Sequence, residues 1–125
     1  MSTKTILLVD DSPTMLMSLE GVLSKAGFSV KKSPNGESAL ELLKTGTKPN
    51  LVITDLHMGA MSGIDLIKAV RKLPPYRFMP ILMLTTESQK DKRAEAKASG
   101  ATGWLVKPVQ PNDLLQVIKQ VLPGS

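Results

Sequence analysis

A chain of 125 residues, 42% hydrophobic and 22% charged, is sized for one domain and too apolar for disorder. With no cysteine and a single histidine, His57, it excludes disulfides, thiol nucleophiles and multi-histidine metal sites. Lys and Arg number 16 against 11 Asp and Glu, a net charge of +5, but the positives are scattered and read as a solvated surface.

After a polar start from Met1 to Thr5, Ile6-Leu7-Leu8-Val9 is a short apolar run that ends at Asp10. That run is too short for a signal-peptide core or a membrane span, so a cytoplasmic protein is expected. Ser12-Pro13 supplies an N-cap and a proline at the first helical position, and Gly27 closes that helix. Its apolar face is predicted as Met15, Leu19, Val22, Leu23 and Ala26, with Leu16 at the edge and Met17 opposite. Phe28-Ser29-Val30-Lys31-Lys32 alternates and reads as an edge strand. Asn35-Gly36 opens a second helix with Ala39, Leu40 and Leu43 inward and Gly46 beyond its end.

Leu51-Val52-Ile53 is the next continuous run. Ser62-Gly63 begins a third helix with Ile64, Ile67 and Val70 inward, and Pro74-Pro75 stops it. Ile81-Leu82-Met83-Leu84 precedes a fourth helix, from about Gln89 to Ser99, that carries the densest basic group: Lys90, Lys92, Arg93 and Lys97. Its only apolar residues are Ala94, Ala96 and Ala98, which offer little area to bury, so it should be the most loosely anchored element. Trp104-Leu105-Val106 is the last run, and a fifth helix from Pro111 to Leu122 turns Leu114, Ile118 and Val121 inward. Pro123-Gly124-Ser125 reads equally as a chain end or a linker stub. Continuous apolar runs predict strands covered on both faces. Five strands alternating with five helices predict one α/β domain over residues 1–125, a parallel sheet sandwiched between helical layers.

In open α/β sheets, sites lie beyond the carboxyl ends of the strands. Here the runs end in Asp10-Asp11, Thr54-Asp55, Thr85-Thr86-Glu87 and Lys107-Pro108. Singly, each is an ordinary cap or a solvated loop residue. Together, neighbouring carboxylates repel and need a counter-charge. A divalent cation held by Asp11 and Asp55, with Asp10 close by, would supply it, and an all-oxygen donor set favours Mg²⁺. Thr85 and Lys107 would then offer a hydroxyl donor and a fixed cation to the oxygens of a phosphoryl group. The pattern points to phosphoryl transfer onto a carboxylate.

The segments Val9-Asp10-Asp11-Ser12, Ile53-Thr54-Asp55, Leu84-Thr85-Thr86-Glu87 and Val106-Lys107-Pro108, in that order, resemble response-regulator receiver domains. The stretches from Pro80 to Ser88 and from Gly100 to Pro108 resemble the single-domain chemotaxis, CheY-like type. The resemblance implies a flavodoxin-like, doubly wound sheet of order 2-1-3-4-5. It implies Asp55 as phosphoacceptor and Asp10 and Asp11 as the acidic pair for Mg²⁺, with the backbone carbonyl of His57 as a further ligand. Thr85 would be the switch hydroxyl, Lys107 the phosphoryl-binding lysine and Trp104 the switch aromatic. The Lys107-Pro108 bond is cis in many relatives. Implied partners are a sensor histidine kinase or histidine-phosphotransfer protein, docking on the first-helix surface that bears Met17, and in some cases a phosphatase. An effector would bind the face of helix four, strand five and helix five; neither membrane nor nucleic acid is expected.

The implied function is a stand-alone response regulator of two-component signalling, in chemotaxis or motility, and not an enzyme beyond its own phosphoryl transfer and dephosphorylation. Three positions depart from or vary on the pattern. Gly59 replaces a usual proline, His57 sits where side chains tune dephosphorylation, and Trp104 stands for tyrosine or phenylalanine. A phosphate sink without an effector fits the same residues. A haloacid-dehalogenase phosphohydrolase fits poorly, because Ser12 occupies the place of its second acid. A nucleic-acid binder rests on net charge alone.

Overall fold

The structure is a computed structural model and describes residues 3–86 and 90–122, with Lys90 described by its backbone alone. Glu87, Ser88 and Gln89, and the Pro123-Gly124-Ser125 tail, lie outside the described residues. The chain runs β1 (Thr5–Val9), α1 (Pro13–Lys25), β2 (Ser29–Ser33), α2 (Gly36–Lys44), β3 (Leu51–Asp55) and α3 (Gly63–Arg71). It continues through a single 3₁₀ turn (Pro74–Tyr76), β4 (Ile81–Thr85), α4 (Lys90–Ser99), β5 (Gly103–Val106) and α5 (Pro111–Val121). All strand pairs are parallel, in the order β2-β1-β3-β4-β5. The expected fold class, sheet order and three layers are all present.

Alternation along the strands divides the core in two. Ile6, Leu8, Leu51, Ile53, Leu82 and Leu84 face α1 and α5, packing on Leu16, Leu19, Leu23, Leu114 and Ile118. Leu7, Val9, Val52, Ile81 and Met83 face the other way, onto α2, α3 and α4 through Ala39, Leu43, Ile64, Ile67, Val70 and Ala96. The caps are those expected: Ser12 Oγ accepts from the Met15 amide (3.2 Å), and Asn35 Oδ1 from the Ser38 amide (2.7 Å). Ser62 and Asp65 add a reciprocal capping box at the start of α3.

Three expectations shift. The buried stripe of α1 is Leu16, Leu19 and Leu23, so Leu16 is central and Ala26 is exposed. Leucines spaced by three and four residues bury more area than an alanine near the helix end, and they set the rotation. On α5, Val121 is only half-buried and Leu122 takes the inward place. β5, read as covered on both faces, is the outer strand beyond β4, and all four of its residues are half-buried. As the edge strand, β5 lacks a neighbour on one side, and on its α4 face Ala96 is the one fully buried side chain of that helix among the described residues, so little apolar bulk covers it.

Two clamps had no sequence signal. The Tyr76 hydroxyl lies 2.8 Å from the Leu43 carbonyl and 2.9 Å from that of Thr47, and its single proton serves one at a time. Arg71 donates from Nε (3.1 Å) and Nη2 (2.7 Å) to the Gly100 carbonyl, and from Nη1 to the Tyr76 carbonyl (2.8 Å). A guanidinium fork thus ties the end of α4 to α3, compensating for the poor apolar anchor of that helix. Arg71→Met is expected to lower stability by about 1–3 kcal/mol in urea unfolding. Amide exchange should quicken in α4 well before the central strands; uniform quickening across the sheet would deny the clamp this local role.

Candidate functional site at the strand ends

The carboxyl ends of β1, β3, β4 and β5 bring the sequence candidates together. Asp10 follows β1 and is 2% exposed; its backbone N–H reaches the Ser33 carbonyl of the neighbouring strand end (3.1 Å). Its Oδ1 accepts from the Ser12 amide (2.9 Å), which ties the carboxylate to the cap of α1. Asp55 closes β3 and is half-buried, while Asp11 is exposed on the rim. One carboxylate oxygen from each of Asp10, Asp11 and Asp55 lies within 4.8 Å of the others.

Lys107, just past β5, supplies the positive charge. Its Nζ is 3.0 Å from Asp55 Oδ1 and 3.9 Å from Asp10 Oδ2, a bonded ion pair to the first and a through-space attraction to the second. Its backbone N–H donates to the Thr85 carbonyl (2.6 Å), so the lysine is registered on β4, and the Lys107–Pro108 bond is cis. Thr85 is fully buried, and its Oγ1 finds no hydrogen-bond partner among the described residues. Asp10 Oδ2 is likewise without a hydrogen-bond partner. A buried carboxylate oxygen and a buried hydroxyl, both unsatisfied at one rim, are costly unless something binds there.

Electrostatics point the same way. Burial pushes the Asp10 carboxyl above the ordinary carboxylate range; the Ser12 amide opposes this, Asp55 adds to it, Lys107 opposes it and Asp11 adds to it. An all-oxygen, triply anionic pocket with one orphaned acceptor fits a hard divalent cation such as Mg²⁺.

The loop after Asp55 alternates: Leu56 and Met58 are buried, which leaves His57 exposed between them. Gly59 adopts φ +64°, a conformation closed to proline, the residue the resemblance would lead one to expect there. At the start of α3, a Cβ on Gly63 would collide with the Asp55 carbonyl oxygen, and the Gly63 amide donates to the Leu56 carbonyl (2.8 Å). That glycine brings α3 against the back of Asp55, a contribution the sequence disclosed only as a helix start. Trp104 pairs in register with Met83, so it sits diagonal to Thr85 on the same sheet face. It is half-buried, and the Arg93 guanidinium lies 5.8 Å from its ring centre. Met17 stands 70% exposed on α1.

A raised Asp10 pKa means that the folded state holds this proton more tightly than the unfolded chain. Stability from this group is therefore present below the ordinary carboxylate pKa and is lost as pH rises through the raised value. At neutral pH in chelator, Asp10→Asn should accordingly unfold at higher urea than the native chain. Adding Mg²⁺ should raise the native midpoint and move that of the variant much less. A lower midpoint for Asp10→Asn in chelator would contradict the assigned cost of burying that charge.

Comparison with known proteins gives a consistent picture. The family model of the response regulator receiver domain matches residues 6–119. The chain is 34% identical to the protein PilH of Pseudomonas aeruginosa, over 95% of this chain and 98% of that protein. It is 35% identical to the chemotaxis protein CheY of the same organism, over 93% and 94% respectively. Among solved structures, chemotaxis protein CheY4 of Vibrio cholerae superposes with a TM-score of 0.91 at 40% identity, covering 97% of this chain and all of that one.

Proposed function

Because the chain belongs to the response regulator receiver domain family, we propose that Asp55 is its phosphoacceptor and that its output is phosphorylation-dependent protein binding. The observation that carries this reading is the meeting of Asp10, Asp11 and Asp55 within 4.8 Å beside a lysine bonded to Asp55. Asp55 Oδ1 is engaged by the Leu56 amide (2.8 Å) and by Lys107, which leaves Oδ2 as the attacking oxygen. That oxygen bonds to phosphorus as the donor's leaving group departs with its electron pair, giving an acyl phosphate. Lys107 then exchanges its carboxylate partner for a phosphoryl oxygen, and Thr85 offers its unpaired hydroxyl to another. Asp10, Asp11, Asp55 and the His57 carbonyl would hold Mg²⁺, which supplies charge neutralisation for the phosphoryl oxygens. The only turnover in this reading is the making and breaking of the protein's own acyl phosphate.

The donor would be a histidine kinase or a histidine-phosphotransfer protein, seated on the α1 surface that carries exposed Met17. The effector would bind the α4–β5–α5 face, whose poorly covered edge supports a role as the movable surface. A phosphatase acting on Asp55 is compatible with the open rim. The relatives' names support a chemotaxis or motility pathway. No helix of the described residues is long and apolar enough to cross a membrane.

Acetyl phosphate with Mg²⁺ should add one phosphoryl group to the native chain, detected by intact mass, and none in chelator. Asp55→Asn should abolish the addition; labelling that persists in this variant would refute the assignment. Lys107→Ala should keep Mg²⁺ affinity within about twofold yet blunt the tryptophan response to beryllofluoride, because the lysine meets phosphoryl oxygens and not the cation. Met17→Lys should slow transfer from a histidine-phosphotransfer donor while acetyl phosphate labelling holds. Equal slowing with both donors would remove Met17 from the docking surface.

A further inference from the structure

The Arg93 guanidinium lies over the indole of Trp104, 5.8 Å from the ring centre to its central carbon. Arg93 is half-buried, and its Nε is buried without a hydrogen-bond partner among the described residues. The indole face, within cation–π range, is the contact this guanidinium makes in place of that hydrogen bond. Position matters as much as strength. Arg93 and Ala96 are three residues apart and so share one face of α4. Ala96 is the one fully buried side chain of α4 among the described residues, so the stack on Trp104 is the second point at which the helix grips the sheet. Trp104 itself packs against the core cluster that contains Ala96 and Met83. The indole therefore touches the core on one side and α4 on the other.

We propose that Arg93 is a positioning residue: stacked on Trp104, it holds the indole in its unphosphorylated place and passes the ring's movement to α4. This rests on the reading that Asp55 is the phosphoacceptor and that Trp104 answers to it. When Thr85 turns toward a phosphoryl group, space opens on the sheet face it shares with Trp104. The ring can enter that space only by leaving the guanidinium or by drawing it along. In either case one of the two grips of α4 on the sheet changes, and the helix moves on Ala96 and the Arg71 fork that remain. The stack stabilises one member of a two-state equilibrium, so weakening it should favour the other.

Trp104 is the only tryptophan, so its emission reports the ring without labelling. Beryllofluoride with Mg²⁺ is titrated against the native chain, Arg93→Met, which keeps the stem and removes the cation, and Arg93→Lys, which keeps the cation and removes the plane. In Arg93→Met before activation, acrylamide should quench Trp104 more strongly. The half-saturating beryllofluoride concentration should fall roughly two- to fivefold, with Arg93→Lys between the two. A purely structural role would lower stability without moving this midpoint downward, and rescue by lysine separates charge from packing. A native response with the same midpoint in both variants, or a higher midpoint in Arg93→Met, overturns the positioning role alone. A native chain whose emission does not change while acetyl phosphate labels Asp55 overturns the Trp104 reading and the positioning role with it.

Discussion

Everything at the working end of this protein follows from crowding carboxylates at the rim of a parallel sheet. Strand order puts β1 beside β3, so the residues that follow them converge. Two carboxylates within 4.8 Å repel by about 3 kcal/mol at an effective dielectric near 20, more than a single helix cap contributes. Lys107 answers part of the repulsion directly, and Asp10 is held above its ordinary pKa chiefly by burial, with the Asp55 and Asp11 charges adding to it. The remaining demand, for positive charge at an all-oxygen site, is one that a divalent cation would meet.

The scaffold is densely packed around Asp55 and sparsely packed at β5 and α4. β1, β3 and β4 are buried on both faces, and Gly63 presses α3 against the backbone of Asp55. These contacts fix the backbone at Asp55, as an in-line transfer to its carboxylate would require. β5 and α4 form the contrasting half, with half-buried strand residues and a helix secured by one alanine, an arginine fork at its end and an arginine–indole stack. A phosphoryl group adds roughly −1.5 to −2 charge at the rim, a large input for so lightly held a surface. Rigid donors and a soft neighbour are the division a switch needs.

Much of this was legible in the residue order. Continuous runs marked the buried strands, Ser12, Asn35 and Ser62 marked helix starts, and the residues after the runs are the ones the fold brings to one rim. Patterns failed where an outcome depended on a neighbour distant in sequence. β5 carries an apolar run like the others, yet it is half-buried because it ends the sheet and, on one face, meets a helix with only alanines. Leu16 moved to the centre of α1 because the sheet, rather than the helix alone, chose the rotation. The bond of Arg71 to Gly100, 29 residues away, and the stack of Arg93 on Trp104 leave no local trace. Gly63 stood in plain view as a helix start, but its need for a missing Cβ comes from a carbonyl it meets only in the fold.

The central claim is that the crowded rim delivers a phosphoryl group to one oxygen-bearing side chain and no other. Borohydride reduces an acyl phosphate to an alcohol, leaving a stable mark on the residue that carried it. After acetyl phosphate treatment with Mg²⁺, reduction and peptide sequencing by mass spectrometry should find homoserine at position 55, and none when the cation is chelated. Homoserine at position 10 or 11, or at position 55 regardless of Mg²⁺, would contradict the account.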